Sequence, residues 1–189
     1  PIEHEDKISY VTMDNVWAAQ HAVQHLINLG HRHIATITGD MDNVDAQDRF
    51  LGYQNALRGA GIPIDENLIA YGMFNSQHGY NGMKQILHRG EKIDAVFAHS
   101  DIIAIGALRA LHEAGLQVPD DVAVVGFDDI PAAQQTTPPL TTVRHPILQK
   151  GAQATSLLLD LVEGYVERPT QVLLQTQLVI RQSCGSSLG

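Results

Sequence analysis

One cysteine, Cys184, stands in the chain, so no internal disulfide framework is available and a reducing, cytoplasmic setting suits it. Aromatic residues are scarce at 5%, and the core must be aliphatic. No apolar run approaches the ~18 residues of a spanning helix, so no membrane segment is expected. Residues 1–15 carry Glu3, Glu5, Asp6 and Lys7 without an apolar stretch, so no signal peptide is expected. Basic residues are outnumbered 12 to 21, for a net charge of -9. Such a segment is not expected to grip nucleic acid itself, because the phosphate backbone rewards a basic face. The G-x-G-x-x-G, G-x-x-x-x-G-K-[ST] and G-x-S-x-G patterns are missing as well. Dinucleotide binding, phosphate-loop chemistry and serine hydrolysis lose their usual support, and no cofactor is called for.

What is present is an alternation of short apolar runs with 3.6-periodic segments. Strands are predicted at residues 8–13, 34–38, 68–72, 93–98, 122–127, 140–143 and 172–180. Helices are predicted from Asn15, through Phe50 to Leu57, from Ser76 (read as its cap), from Asp101 to Glu113, and from about Pro146 to Glu163. Gly30, Gly61, Gly90 and Gly115 each stop a helix. Repeated strand–helix units of this kind require an α/β fold, a parallel sheet with helices on both faces. The helix from Asp101 is apolar nearly all round, so it is expected to be buried or to sit in an interface.

Ligands of open α/β sheets bind outside the carboxyl ends of the strands. There the chain places Asn43, Asp45 and Arg49, then Phe74, then His99, Ser100 and Asp101, then Asp128 and Asp129. An Arg, several carboxylates and an aromatic ring can hydrogen-bond the hydroxyls of a sugar or nucleoside and stack on its apolar face. Each also has a plain structural role open to it. Asp101 and Asp129 suit helix caps, Arg49 can pair with Asp128, and Phe74 can extend the core. The ten histidines read as surface or capping residues, since a zinc site needs three or four convergent ligands. The acidic loop Asp40, Asp42, Asp45, Asp48 lacks the ligand spacing and glycine of a calcium loop. A magnesium-dependent phosphoryl enzyme built on Asp101, Asp128 and Asp129 would also want a Lys at a strand end, and none is there.

Several stretches resemble the effector-binding domain of the lactose-repressor (LacI/GalR) family. They are Asp14-Asn15 before a helix, HLINLGHRHIATITGD (25–40), RFLGYQNALRGAGI (49–62) and FNSQHGY (74–80). DAVFAHSDIIAIGALRALHEAGLQVPDDVAVVGFDDI (94–130), PPLTTVRHP (138–146) and LVIRQSC (178–184) follow in order. The resemblance implies a two-lobed, periplasmic-binding-protein-like fold with a small sugar or nucleoside between the lobes. Residues 1–29 and 144–168 would belong to a partial N-terminal lobe, residues 30–143 to the other lobe, and 169–189 to its final strand and tail. An upstream helix-turn-helix would bind operator DNA in a cytoplasmic regulator. An exported sugar-binding protein of the same architecture is the alternative.

The resemblance also carries site residues over. Arg49 and Asp128 correspond to effector-binding residues, Phe74 to a stacking aromatic, and Ser100 to a polar contact. Asn43 and Asp45 lie in the loop that varies with effector, and His145 falls at a crossover. Ser100 before Asp101 departs from the usual Asn-Asp pair, and His99 is atypical beside it. A homodimer is implied through the helices carrying Tyr80, Met83, Ile102, Ile105 and Leu108.

Overall fold

The computed structural model of the chain describes residues 8–165 and 169–186. Residues 1–7, 166–168 and 187–189, which belong to the expected end segments, lie outside the described residues. In chain order the strands are β1 (Tyr10–Met13), β2 (Ile34–Ile37), β3 (Ile69–Ala70), β4 (Ala95–Ala98), β5 (Ala123–Asp128), β6 (Thr141–Arg144), β7 (Gln171–Leu174) and β8 (Gln177–Val179). The α-helices are α1 (Asn15–Asn28), α2 (Val44–Gly59), α3 (Ser76–His88), α4 (Asp101–Glu113) and α5 (Ile147–Val162). They fall into two compact units. The larger runs from Asn15 to Arg144 and resumes at Gln177, and the smaller holds β1 and the stretch His145–Thr176.

The larger unit is a six-stranded sheet in the order β3-β2-β4-β5-β6-β8. All pairs are parallel except β6 with β8, where Thr142 faces Val179 and Arg144 faces Gln177. Alternate side chains explain the layering, because successive residues of a strand point to opposite faces. Ile37, Val96, Ala98 and Val124 meet Met83, Ile86, Ile103 and Ala107 of α3 and α4 in one aliphatic core. On the other face α1 and α2 pack together and α1 lies on β4, β6 and β8. The four stop glycines, Gly30, Gly61, Gly90 and Gly115, all hold positive φ, the left-handed backbone that ends a helix without side-chain strain.

The structure differs from the expectations at several places. Helix α1 belongs to the larger unit, not to an N-terminal segment reaching residue 29. Its face Ala18, Ala19, Ala22, Val23 and Leu26 is fully covered there. The last run, expected as one strand over 172–180, is split between the units. β7 pairs in parallel with β1, and β8 joins the large sheet. Only two residues of the expected third strand pair, after a 3-10 turn at Glu66–Leu68. Helix α3 is capped by Asn75, whose side chain accepts from the His78 amide, and Ser76 is its first residue.

The apolar circumference of α4 also has a local cause. A Cβ on Gly79 would overlap the carbonyl of Ile103, and one on Gly106 would overlap the carbonyl of Ser76. Helices α3 and α4 thus meet almost backbone to backbone, and α4 is covered from within the chain. Met83 is fully buried and Leu108 is 8% exposed, so neither presents a free surface for a second copy. Tyr80 and Ile105 are half-buried, and Ile102 is exposed.

The smaller unit consists of the β1–β7 pair with α5 against β1. Of α5, only Leu157 is buried; Leu148, Leu158, Leu159 and Val162 are exposed. No helix among the described residues is long and apolar enough to cross a membrane.

The glycine contact is testable by urea unfolding. Gly79→Ala and Gly106→Ala should each lower stability by about 1–3 kcal/mol, since backbone cannot yield to the added methyl. Gly59→Ala, with open space around its Cβ position, should leave the midpoint unchanged or slightly raised. Equal midpoints for all three would contradict the close approach.

Candidate functional site

The carboxyl ends of β4 and β5 converge on Arg49. This residue lies in the second turn of α2 and is 4% exposed. A charge taken from water needs partners, and the surrounding chain supplies them on several sides. Its Nε donates to the Asn15 side-chain oxygen at 3.0 Å, and one Nη1 proton goes to the His99 carbonyl at 2.5 Å. Nη1 also lies 3.5 Å from the Asp128 carboxylate. The guanidinium carbon sits 3.8 Å from the Phe127 ring centroid and 5.9 Å from that of Phe74, so it is bounded by aromatic faces. A guanidinium has five N–H donors. Among the described residues no acceptor pairs with those on Nη2.

Asn15 is the link that sequence reading left unassigned. It is the first residue of α1 and is buried, with its amide nitrogen donating to Asp45 at 3.0 Å while its oxygen holds Arg49. The Asp14-Asn15 pair was visible before a helix, but no partner for it was. The fold uses Asn15 as a bridge between two site residues. Asn43, by contrast, caps α2, its side chain accepting from the Asp45 amide at 2.8 Å. Ser100 caps α4, accepting from the Ile103 amide at 3.3 Å. Both side-chain oxygens are therefore already engaged in ordering the loops.

Phe74 is half-buried beside Gly39; a Cβ at Gly39 would overlap its ring. The glycine after β2 thus lets the ring lie over the strand end. His145 falls in the smaller unit, while Asn43, Asp45, Arg49, Phe74, Ser100 and Asp128 fall in the larger.

Asp101 is not a cap. Its carboxylate accepts from Thr142 Oγ1 at 2.5 Å and from the Ile130 amide at 2.9 Å, holding the turn after β5 from below. In that turn Asp128 and Asp129 have φ of 115° and 58°, values that L residues keep only where neighbours enforce them. Asp129 accepts from Arg144 Nε at 2.7 Å and Arg181 Nη2 at 2.5 Å.

Electrostatics follow from burial. Asp128 is pushed up to about 7 by burial, with Arg49 pulling against it and Asp101 and Asp45 adding to it. Asp101 is pushed up to about 6 by burial, against its hydrogen bonds from Thr142 and Ile130. Burial also works on Asp129, but the hydrogen bonds from Arg181 and Arg144 hold its carboxyl below the ordinary range. His99 departs from the expectation of surface histidines. It is fully buried between Phe97 and Phe50, and among the described residues neither ring nitrogen has a partner. Burial, then the nearby Arg49, keep it neutral, well below the ordinary histidine range.

The family profile described as "Periplasmic binding protein-like domain" matches residues 23–184. The HTH-type transcriptional regulator CelR of Thermobifida fusca is 42% identical over 179 residues, 95% of this chain and 53% of that protein. The HTH-type transcriptional repressor CytR of Escherichia coli K12 is 38% identical over 179 residues, again 95% of this chain and 52% of its own length. The chain spans about half the length of these curated relatives. Among solved structures, a CelR–cellobiose complex superposes with a TM-score of 0.90 at 42% identity, covering 94% of this chain and 54% of that one. The Escherichia coli transcriptional repressor ascG gives 0.84 at 37% identity, covering 90% and 62%. The chain belongs to the periplasmic binding protein-like domain family and, within it, to the LacI/GalR group.

Proposed function

We propose that this chain is the effector-binding part of a cytoplasmic transcription regulator and that it recognises a small sugar through Arg49 and Asp128. The observation that carries the reading is Arg49 itself. Its position is fixed by Asn15 and the His99 carbonyl, while its Nη2 donors remain for ligand oxygens. Asp128, 3.5 Å from Nη1, is the acceptor for a ligand hydroxyl. The half-buried Phe74 ring offers a face to the apolar side of a pyranose. Asn43, Asp45 and Ser100, on the same unit, complete the proposed set. The regulators among the relatives favour this over an exported binding protein, and the cellobiose complex of CelR favours a sugar over a nucleoside.

The same reading has operator DNA bound by an N-terminal domain outside this chain, in a homodimer. Ile102, with the half-buried Tyr80 and Ile105, is the exposed remainder of the expected dimer face. The bare apolar side of α5 is covered, on this reading, by the rest of its lobe in the intact regulator.

Titration calorimetry of the intact regulator, with cellobiose first and a panel of disaccharides and nucleosides after it, tests the proposal. Arg49→Ala should weaken binding at least about tenfold, the equivalent of one lost charge-assisted hydrogen bond. Undiminished affinity would remove Arg49 from the site.

A pH series gives a second test. The ionised carboxylate of Asp128 is the stronger acceptor for a hydroxyl, and burial pushes its pKa up to about 7. Ligand favours the ionised form, so binding should release a proton and affinity should rise with pH. The gain from pH 6 to pH 8 should be roughly tenfold and absent in Asp128→Asn. A flat profile in the parent protein would contradict the role of Asp128.

A further inference from the structure

Asp128 and Asp129 are neighbours in one strained turn, yet they face different partners. Asp128 stands opposite Arg49. Asp129, with a side chain only 5% exposed, joins two arginines that lie far apart in sequence. Arg144 is the last residue of β6 and of the first stretch of the larger unit, Asn15–Arg144. Arg181 follows β8, the strand on which the chain returns to that unit at Gln177. Arg181 is itself fixed, donating from Nη1 to the Leu140 carbonyl at 2.7 Å and from its amide to Thr141 Oγ1 at 2.8 Å. One carboxylate therefore grips both the strand by which the chain leaves and the stretch after the strand by which it returns. The Arg181 arm is the stronger, being 13% exposed against 50% for Arg144, whose pairing water screens.

The positive φ of both aspartates is sustained by the bonds that clamp the turn, from Ile130 to Asp101 and from Arg144 and Arg181 to Asp129. Asp101 closes it from below through Ile130 and Thr142, and Thr142 is itself a residue of β6. A displacement of Asp128 has few soft torsions in which to dissipate before it reaches the Asp129 carboxylate.

We propose that Asp129 is a positioning residue that ties Asp128 to the ends of β6 and β8, so that a change at the recognition carboxylate is passed to the strands joining the two units. The inference rests on Asp128 being the recognition carboxylate. Asp129 touches no ligand in this scheme; it converts occupancy into a shift of backbone. A merely structural latch would hold the same strands but would not respond to Asp128.

Amide hydrogen exchange on the intact protein separates the two in a ligand-free double-mutant cycle. Peptides covering residues 140–147 and 175–183 are followed in the parent, Asp128→Asn, Asp129→Asn and the double variant. Asp128→Asn should change exchange there at least about twofold when Asp129 is present, and not when it is Asn. Equal effects in both backgrounds, or none in either, would overturn the coupling. Arg181→Gln opens the same grip from the other side and replaces Asp129→Asn in the cycle should that variant fail to fold. With cellobiose as the probe, Asp129→Asn should bind within about threefold of the parent but lose the sugar-induced protection of these peptides. Full protection in that variant would also overturn the proposal. Failure of the parent to bind cellobiose would count against the sugar reading alone, since the ligand-free cycle decides the coupling.

Discussion

A guanidinium buried to 4% exposure is the constraint around which the strand ends of the larger unit are arranged. Losing one hydrogen-bond partner of such a charge costs about 1.5–3 kcal/mol, so its neighbours are not free to vary independently. Asn15 must present an oxygen, the end of β4 must present the His99 carbonyl, and Phe127 must lie flat beneath. The first turn of α1, the end of β4 and the last residues of β5 are held in register by that single side chain. Asp128 completes the set at a looser 3.5 Å, and its carboxyl is the one that burial leaves poised near neutrality.

This arrangement explains why the proposed recognition groups sit on such differently built supports. Asn43 and Ser100 order the helices that follow them, which makes the α2 and α4 entrances rigid. Asp128 instead sits in a turn with unfavourable backbone angles, sustained by Asp101 and by the arginines on Asp129. Strain of this kind persists only where the surroundings over-determine it, and it concentrates where a site must be shaped in advance of its ligand. On the proposed reading, the rigid groups fix where the ligand can lie, and the strained turn is the part whose energy a ligand can change.

Much of the larger unit was legible because its signals are local. Stop glycines, apolar runs and 3.6-residue stripes placed α1, α4 and the central strands within a residue or two. Position at strand ends picked out Arg49 and Asp128, which the fold brings to 3.5 Å. What escaped were choices made by distant partners. Nothing local separates β7 from β8, since the break at Gln175 and Thr176 matters only because the two halves find different neighbours. The apolar excess of α4 announced burial or an interface without saying what covers it, because the glycine contact with α3 is a property of two helices together. Asn15 marked only the start of a helix, Asp129 had no visible partner until Arg181 arrived 52 residues later, and His99 looked like surface until the sheet closed around it.

The central claim is that the protein fixes Arg49 and leaves part of its donor set for a ligand. Side-chain 15N–1H spectra of the arginines test it most directly, with the Arg49 resonances assigned by their absence in Arg49→Lys. The Nε–H of Arg49, bonded to Asn15, should be protected and sharp without ligand, whereas its Nη2 protons should exchange with water. Saturating cellobiose should slow that exchange and bring the Nη2 protons into view while leaving Nε nearly unmoved. Bound sugar with unchanged Arg49 resonances would contradict the account.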